Sequence, residues 1–219
     1  MPRKNVVKIY VEDGYYHLYN RGVEKRVIFS DKRDYKTFLY FLKSYLTPVP
    51  KKIPPFDRRQ VRSLSKDIDL LVYCLMPNHF HLLVKQKSER GITKFMRALC
   101  TNYVMYFNQR YQRLGGLFQS AYKAVLVETD EQLLHLSRYI HLNPSELLGK
   151  HQLLEDYLYS SYDDYMGKRK TNWLKTETIL DYFKTARKTS LNDFLSYQGF
   201  VESYKEDEKE FSFKGVTLE

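Results

Sequence analysis

The alternation of apolar and polar positions divides the first two thirds of the chain into short strand-like runs and longer helical stretches. Tyr15-Tyr16-His17-Leu18-Tyr19-Asn20 reads as a first strand, and Arg21-Gly22-Val23 as the turn that ends it. Asp31 suits a helix cap, and Tyr35, Phe38, Leu39 and Leu42 follow at helical spacing in a helix that ends before Pro48. Pro48-Val49-Pro50-Lys51-Lys52-Ile53-Pro54-Pro55, with Arg58-Arg59 behind it, is a proline-rich basic loop that fits neither a helix interior nor a central strand. Asp67 to Leu75 reads as a second strand, Met76-Pro77-Asn78 as a turn, and His79 to Gln86 as the returning strand of a hairpin. A long helix is expected from Gly91 to Asn108, closed around Gly115-Gly116, followed by a last strand from Lys123 to Val127.

Strand, helix, strand, strand, helix, strand is the split βαβ order. It predicts an α+β fold: a ferredoxin-like antiparallel sheet with helices on one face, leaving the other face to carry chemistry. A further helix is expected from Thr129-Asp130-Glu131, whose hydroxyl and carboxylates suit a helix N-terminus. It runs through Leu133, Leu134, Leu136 and Ile140 until Pro144 forbids continuation. Beyond about residue 150 the chain is tyrosine-rich and locally charged, and Asn172-Trp173-Leu174 and Thr176 to Phe183 suggest short helices. Residues 151–219 are therefore expected to form a C-terminal helical appendage to a domain of residues 1–150, with Glu206-Asp207-Glu208 in a solvated tail.

Composition narrows the functional classes. With 219 residues the chain can bury a substantial core. Lys and Arg number 36 against 26 Asp and Glu, a formal net charge of +10, which suits a polyanionic partner, nucleic acid before an anionic membrane surface. Its 20 tyrosines offer ring faces for base stacking and hydroxyls for phosphate contact or nucleophilic attack, although most must be structural. Cys74 and Cys100 are the only cysteines, which argues against a disulfide framework or a cysteine zinc site. No apolar run reaches membrane-spanning length, and Met1-Pro2-Arg3-Lys4-Asn5 lacks the apolar core of a signal peptide; a cytoplasmic location without membrane attachment is expected.

Candidate chemistry begins with His79 and His81. Alternation along a strand points both imidazoles to one side and Phe80 and Leu82 to the other. Such a pair can ligate a metal, or its members can be ordinary surface or core histidines. On the helix before Pro144, Tyr139 and Asn143 lie one turn apart on one face, with His135 a turn earlier, whereas His141 faces elsewhere. If that face packs near the histidines, Asn143 supplies an oxygen ligand to a divalent metal and Tyr139 aims its hydroxyl at a group bound there, with positions left for phosphate oxygen and water.

Pro77-Asn78-His79-Phe80-His81-Leu82-Leu83, followed by Tyr139-Ile140-His141-Leu142-Asn143-Pro144, resembles the single-tyrosine HUH transposases, and among them the REP-associated tyrosine transposases. Gly115-Gly116-Leu117-Phe118-Gln119-Ser120-Ala121-Tyr122-Lys123 resembles the family's approach to its last strand, though without the tryptophan common near Phe118, and Tyr159-Ser160-Ser161-Tyr162 resembles its C-terminal extension. The resemblance runs from about Tyr15 to beyond Trp173. It implies that His79, His81 and Asn143 hold magnesium or manganese. Tyr139 would then cleave single-stranded or hairpin-flanked DNA through a 5′-phosphotyrosine link, the reverse attack by another 3′-hydroxyl completing strand transfer without a nucleotide cofactor. The resemblance allows a monomer or a homodimer.

Arg97, Arg110, Arg113 and Lys123 are candidate phosphate contacts and Tyr103 a stacking or core residue; Asn20 and Arg21, from the resemblance, are candidate contacts to hairpin bases. Each has a plainer reading as a solvated helix face or a core side chain. Two other functions remain open: a domesticated DNA-binding protein that keeps the fold, and a metal-dependent hydrolase that uses water as nucleophile.

Overall fold

The computed structural model describes residues 10–48, 63–149, 152–184 and 196–203. Most of the proline-rich loop and the acidic run Glu206-Asp207-Glu208 lie outside the described residues. Four strands, β1 (Tyr15–Arg21), β2 (Ile68–Met76), β3 (His79–Gln86) and β4 (Lys123–Val127), form one antiparallel sheet in the order β2-β3-β1-β4. With α1 (Lys32–Leu46) and α2 (Gly91–Arg110) between them, this is the expected ferredoxin-like arrangement.

Helices α1 and α2 cover one face. Leu18 of β1, Leu70 and Leu75 of β2, and Phe80, Leu82 and Val84 of β3 pack there with Phe38, Leu42, Phe95 and Leu99, all fully buried. The Asp31 carboxylate caps α1 by accepting from the Arg33 and Asp34 amides. At the far end of α2, Arg110 donates to both Asp31 and Asp34, and buried Asp34 also accepts from the Tyr106 and Tyr111 hydroxyls. Three donors and the Ser30 amide satisfy a carboxylate that would be costly to bury alone.

The opposite face is covered as well, over β2 and β3. Helix α3 (Asp130–Leu142), capped by the Thr129 hydroxyl, packs Leu133, Leu136 and Ile140 against Leu71, Val72, Cys74 and Leu83. A bulge allows this: between Leu70 and Val72 the β2–β3 register shifts by one, so that Leu71 is the extra residue and both Leu71 and Val72 join the α3 side. The face expected to be open is free of this apolar cover only toward β1 and the start of β3.

Residues 152–184 and 196–203 do more than hang from the domain. Their short helices α4 (Tyr162–Tyr165), α5 (Glu177–Lys184) and α6 (Tyr197–Glu202) contribute Tyr162, Tyr165, Ile179, Tyr197, Phe200 and Val201 to the α3-side core. The connecting chain also runs along β2, the outer strand: the Leu75 amide donates to Tyr159 O, Ser161 N to Tyr73 O, and Lys175 N to Leu70 O. An otherwise unpaired strand edge is thereby closed. Asn172 and Trp173 form a turn rather than a helix, and Leu174 bridges to Leu70. Among the described residues no helix is long and apolar enough to cross a membrane.

Candidate active site at the meeting of β1, β3 and α3

The β1–β3 register sets Tyr19 opposite His81 and Arg21 opposite His79, and the β1–β4 register sets Lys123 opposite Tyr19. Directly opposed residues share a face, so His79, His81, His17, Tyr19, Arg21 and Lys123 all project toward α3. At the end of that helix, Tyr139 is half-buried, its ring edge-on to His81 with centroids 5.6 Å apart.

Hydrogen bonds fix which atoms face inward. The Asn143 amide nitrogen donates to Tyr139 O at 2.9 Å, capping a carbonyl that the helix end would leave unpaired, and this turns Asn143 Oδ1 toward His79. Asn78 donates from Nδ2 to Lys25 O, so its Oδ1 is the atom 2.6 Å from His79 Nδ1 and must accept a proton from it. Burial holds His79 down to about 4, with the Arg21 charge adding to the effect and the Asn143 contact opposing it, so the ring is neutral at pH 7 and its one proton sits on Nδ1. Its Nε2 is then a lone pair, 3.4 Å from the Asn143 oxygen. Two acceptors face one another, an arrangement that a cation between them would relieve.

His81 is fully buried, and desolvation first, then the neighbouring His17, His79 and Arg21, hold it well below the usual imidazole range. Its Nδ1 lies 2.8 Å from His17 Nε2, and its Nε2 is buried without a hydrogen-bond partner. Two imidazole nitrogens and an amide oxygen are a donor set that suits a divalent transition metal or magnesium. Among the described residues no three histidine, cysteine or carboxylate side chains are grouped to hold a metal, and the amide oxygen beside the pair is that of Asn143.

Gly22 ties the strand end to this site. Its amide donates to Asn78 O at 2.8 Å, and a Cβ there would lie 2.2 Å from Arg26 O. Only glycine leaves room for the Arg26 carbonyl and the Ile28 side chain this close to the end of β1.

Residues 60–143, from the segment before β2 to Asn143, match the family described as IS200-like transposases. Over these residues the chain is similar to the IS200-like transposases. No protein of curated function matches the chain. Among solved structures, one of a REP-associated tyrosine transposase bound to a REP hairpin matches with a TM-score of 0.53 at 11% identity, over 79% of this chain and 98% of the other. A transposase candidate from Deinococcus radiodurans R1 matches at 16% identity and a TM-score of 0.39, over 64% of this chain and 95% of the other. At such identities the first of these shares the fold.

Within this fold the remaining candidates separate. Arg21 and Lys123 lie on the histidine face, and Arg21 Nε is buried without a partner. Asn20 faces the other way: it is buried, donates to Ser120 O and accepts from the Arg21 amide, which makes it a fastener of the strand end. Tyr103 is a correction to the stacking expectation, since it is fully buried and its hydroxyl donates to Ile28 O. Arg110 is likewise held by Asp31 and Asp34. Arg113 stacks over Phe107, 5.7 Å from the ring centre, and Arg97 is exposed on α2, the helix layer away from the histidines. His135 bonds to Arg138 and meets Phe200, not the histidine pair, while buried His141 bridges Ser161 and Tyr197.

The sequence alone assigns no chemical role to His17 or Asn78. His17 sits in an alternating strand of mostly aromatic residues, and only the β1–β3 register brings it to His81. A histidine among strand residues of one parity is the sole local signal, and it does not name the partner.

Proposed function

We propose that this chain is a DNA endonuclease and strand transferase in which Tyr139 attacks a phosphodiester of single-stranded, hairpin-flanked DNA. The Tyr139 Oη–phosphorus bond forms as the bond to the 3′-oxygen breaks, giving a 5′-phosphotyrosine and a free 3′-hydroxyl. The phenolic proton is lost and the departing oxygen gains one. Attack by a second 3′-hydroxyl on the phosphotyrosine then regenerates Tyr139 and joins new strands, conserving the bond energy.

The observation that carries the reading is the convergence of the Tyr139 ring on His81, whose buried Nε2 has no hydrogen-bond partner, next to His79, whose Nε2 lies 3.4 Å from Asn143 Oδ1. That donor set fits magnesium or manganese, which when bound would neutralise charge developing on the scissile phosphate. Tyr139 is held by its own helix, so its hydroxyl is oriented before substrate arrives. Arg21 and Lys123 supply positive charge on the same face, suited to the backbone on either side of the cut. The structural likeness to a transposase bound to a REP hairpin supports hairpin DNA as the partner.

The test is incubation with end-labelled single-stranded hairpin DNA and Mn²⁺, comparing wild type with Tyr139→Phe on a denaturing gel. A covalent adduct that disappears in Tyr139→Phe supports transesterification. Cleavage that persists in Tyr139→Phe without an adduct would instead identify a hydrolase with water as nucleophile, and hairpin binding without cleavage a domesticated binding protein.

A further inference from the structure

We infer that His17 is a positioning residue: it accepts the Nδ1 proton of His81 and thereby presets the His81 Nε2 lone pair toward the space shared with His79 and Asn143. The inference rests on the metal-assisted reading above and adds to it a residue outside the histidine pair, the tyrosine and the amide.

His17 Nε2 and His81 Nδ1 are 2.8 Å apart, both side chains are fully buried, and the rings stack at 17° with centroids 5.0 Å apart. Two imidazole nitrogens at this distance share one proton, and it has two possible owners. If His17 owned it, His81 would carry its own single proton on Nε2, a buried atom with no partner. An N–H sealed away without an acceptor is the costlier orphan, whereas an unfilled lone pair is better tolerated. If His81 owns it, Nε2 is the lone pair. His79 reaches the same state by another device, giving its Nδ1 proton to Asn78 Oδ1. Both rings then turn protons outward and lone pairs inward, the arrangement in which an outer partner orients a metal-binding histidine.

The choice of acceptor has a consequence. A carboxylate in the place of His17 would add negative charge beside a phosphate, whereas an imidazole nitrogen that accepts the proton fixes the tautomer and adds none. Tyr19 closes the other side, its ring centroid 4.7 Å from His17 and 5.9 Å from His81.

Two measurements on the full chain test this. Side-chain ¹⁵N NMR of the metal-free protein, with the His81 signals assigned by their loss in His81→Gln, is expected to show His81 protonated on Nδ1. An Nε2-protonated His81 would overturn the inference. Mn²⁺ binding without DNA, followed by the EPR signal of free Mn²⁺, is expected to weaken about 10- to 100-fold in His17→Phe, which keeps the ring shape and removes the acceptor. His17→Gln, which returns an acceptor oxygen near the Nε2 position, is expected to recover most of that loss. Equal affinity in wild type, His17→Phe and His17→Gln would overturn the inference. A wild type that binds no Mn²⁺ yet shows the Nδ1-protonated His81 would overturn the metal-assisted reading and uphold the His17–His81 arrangement.

Discussion

On the α1–α2 face, β1, β2 and β3 present Leu18, Leu70, Leu75, Phe80 and Leu82, all fully buried among aromatic and aliphatic partners. On the α3 face the same three strands present His17, His79 and His81 beside Leu71, Val72 and Cys74. The first face is filled throughout. The second is apolar where α3 and the C-terminal helices cover β2, and polar where the end of α3 meets β1 and β3. The contrast teaches that a strand can serve two environments at once because its side chains alternate, and that the polar cluster is held in place by the apolar packing next to it.

Removing a donor from the polar cluster has the largest expected effect. His81→Ala is expected to reduce adduct formation to background while the α1–α2 core, which it does not touch, keeps the protein folded; near-UV circular dichroism and the gel assay together check both halves. Core truncations come next and should part the two faces. Phe38→Ala and Phe200→Ala are each expected to cost about 3–5 kcal/mol in denaturant unfolding. Phe200 packs with α3 and beneath Arg138, whose guanidinium lies 4.5 Å from its ring centre, so its loss should also lower the cleavage rate of the folded fraction. Phe38→Ala should leave that rate unchanged.

A smaller effect probes the link between the C-terminal helices and α3. The Tyr197 hydroxyl meets His141 Nδ1 at 2.7 Å and Ser137 Oγ at 3.1 Å, all three groups buried. Tyr197→Phe strands these partners and is expected to cost about 1–3 kcal/mol in the same unfolding measurement. The smallest effect belongs to the Arg110–Asp31 pair on the other face. Hydrogen bonding to Arg110 holds the Asp31 carboxyl down to about 2, against 3.8 ordinarily. Because the folded value is the lower one, the contribution is full above pH 3.8 and is lost as pH falls toward 2. Asp31→Asn keeps a capping side chain and should flatten the acid limb of the stability curve, with hairpin binding near pH 7 unchanged.

Local signals explain why much of this was legible in the sequence. Asp31, Thr129 and Pro144 mark helix ends by hydrogen-bonding and ring geometry, and the hairpin around Pro77-Asn78 announces itself by alternation on both sides. His79 with His81, and Tyr139 with Asn143, share faces by strand and helix periodicity alone. Long-range pairing was not legible. His17 gains its partner only through the β1–β3 register, and Leu71 changes sides only through a bulge. The covering of β2 by Tyr159, Ser161 and Lys175 depends on tertiary placement, as does the share that the C-terminal segment has in the α3-side core. Tyr103 and Arg110 show the converse: aromatic and basic residues on a helix carry no local sign of whether they face the core, an acid or a ligand.

The most direct test of the central claim is to locate the protein–DNA bond. After reaction with single-stranded hairpin DNA and Mn²⁺, followed by nuclease and trypsin digestion, mass spectrometry should find the nucleotide remnant on the peptide from Tyr139 to Lys150, attached at Tyr139. A remnant on any other residue, or cleaved DNA with no residue modified, would contradict the assignment of Tyr139 as the nucleophile.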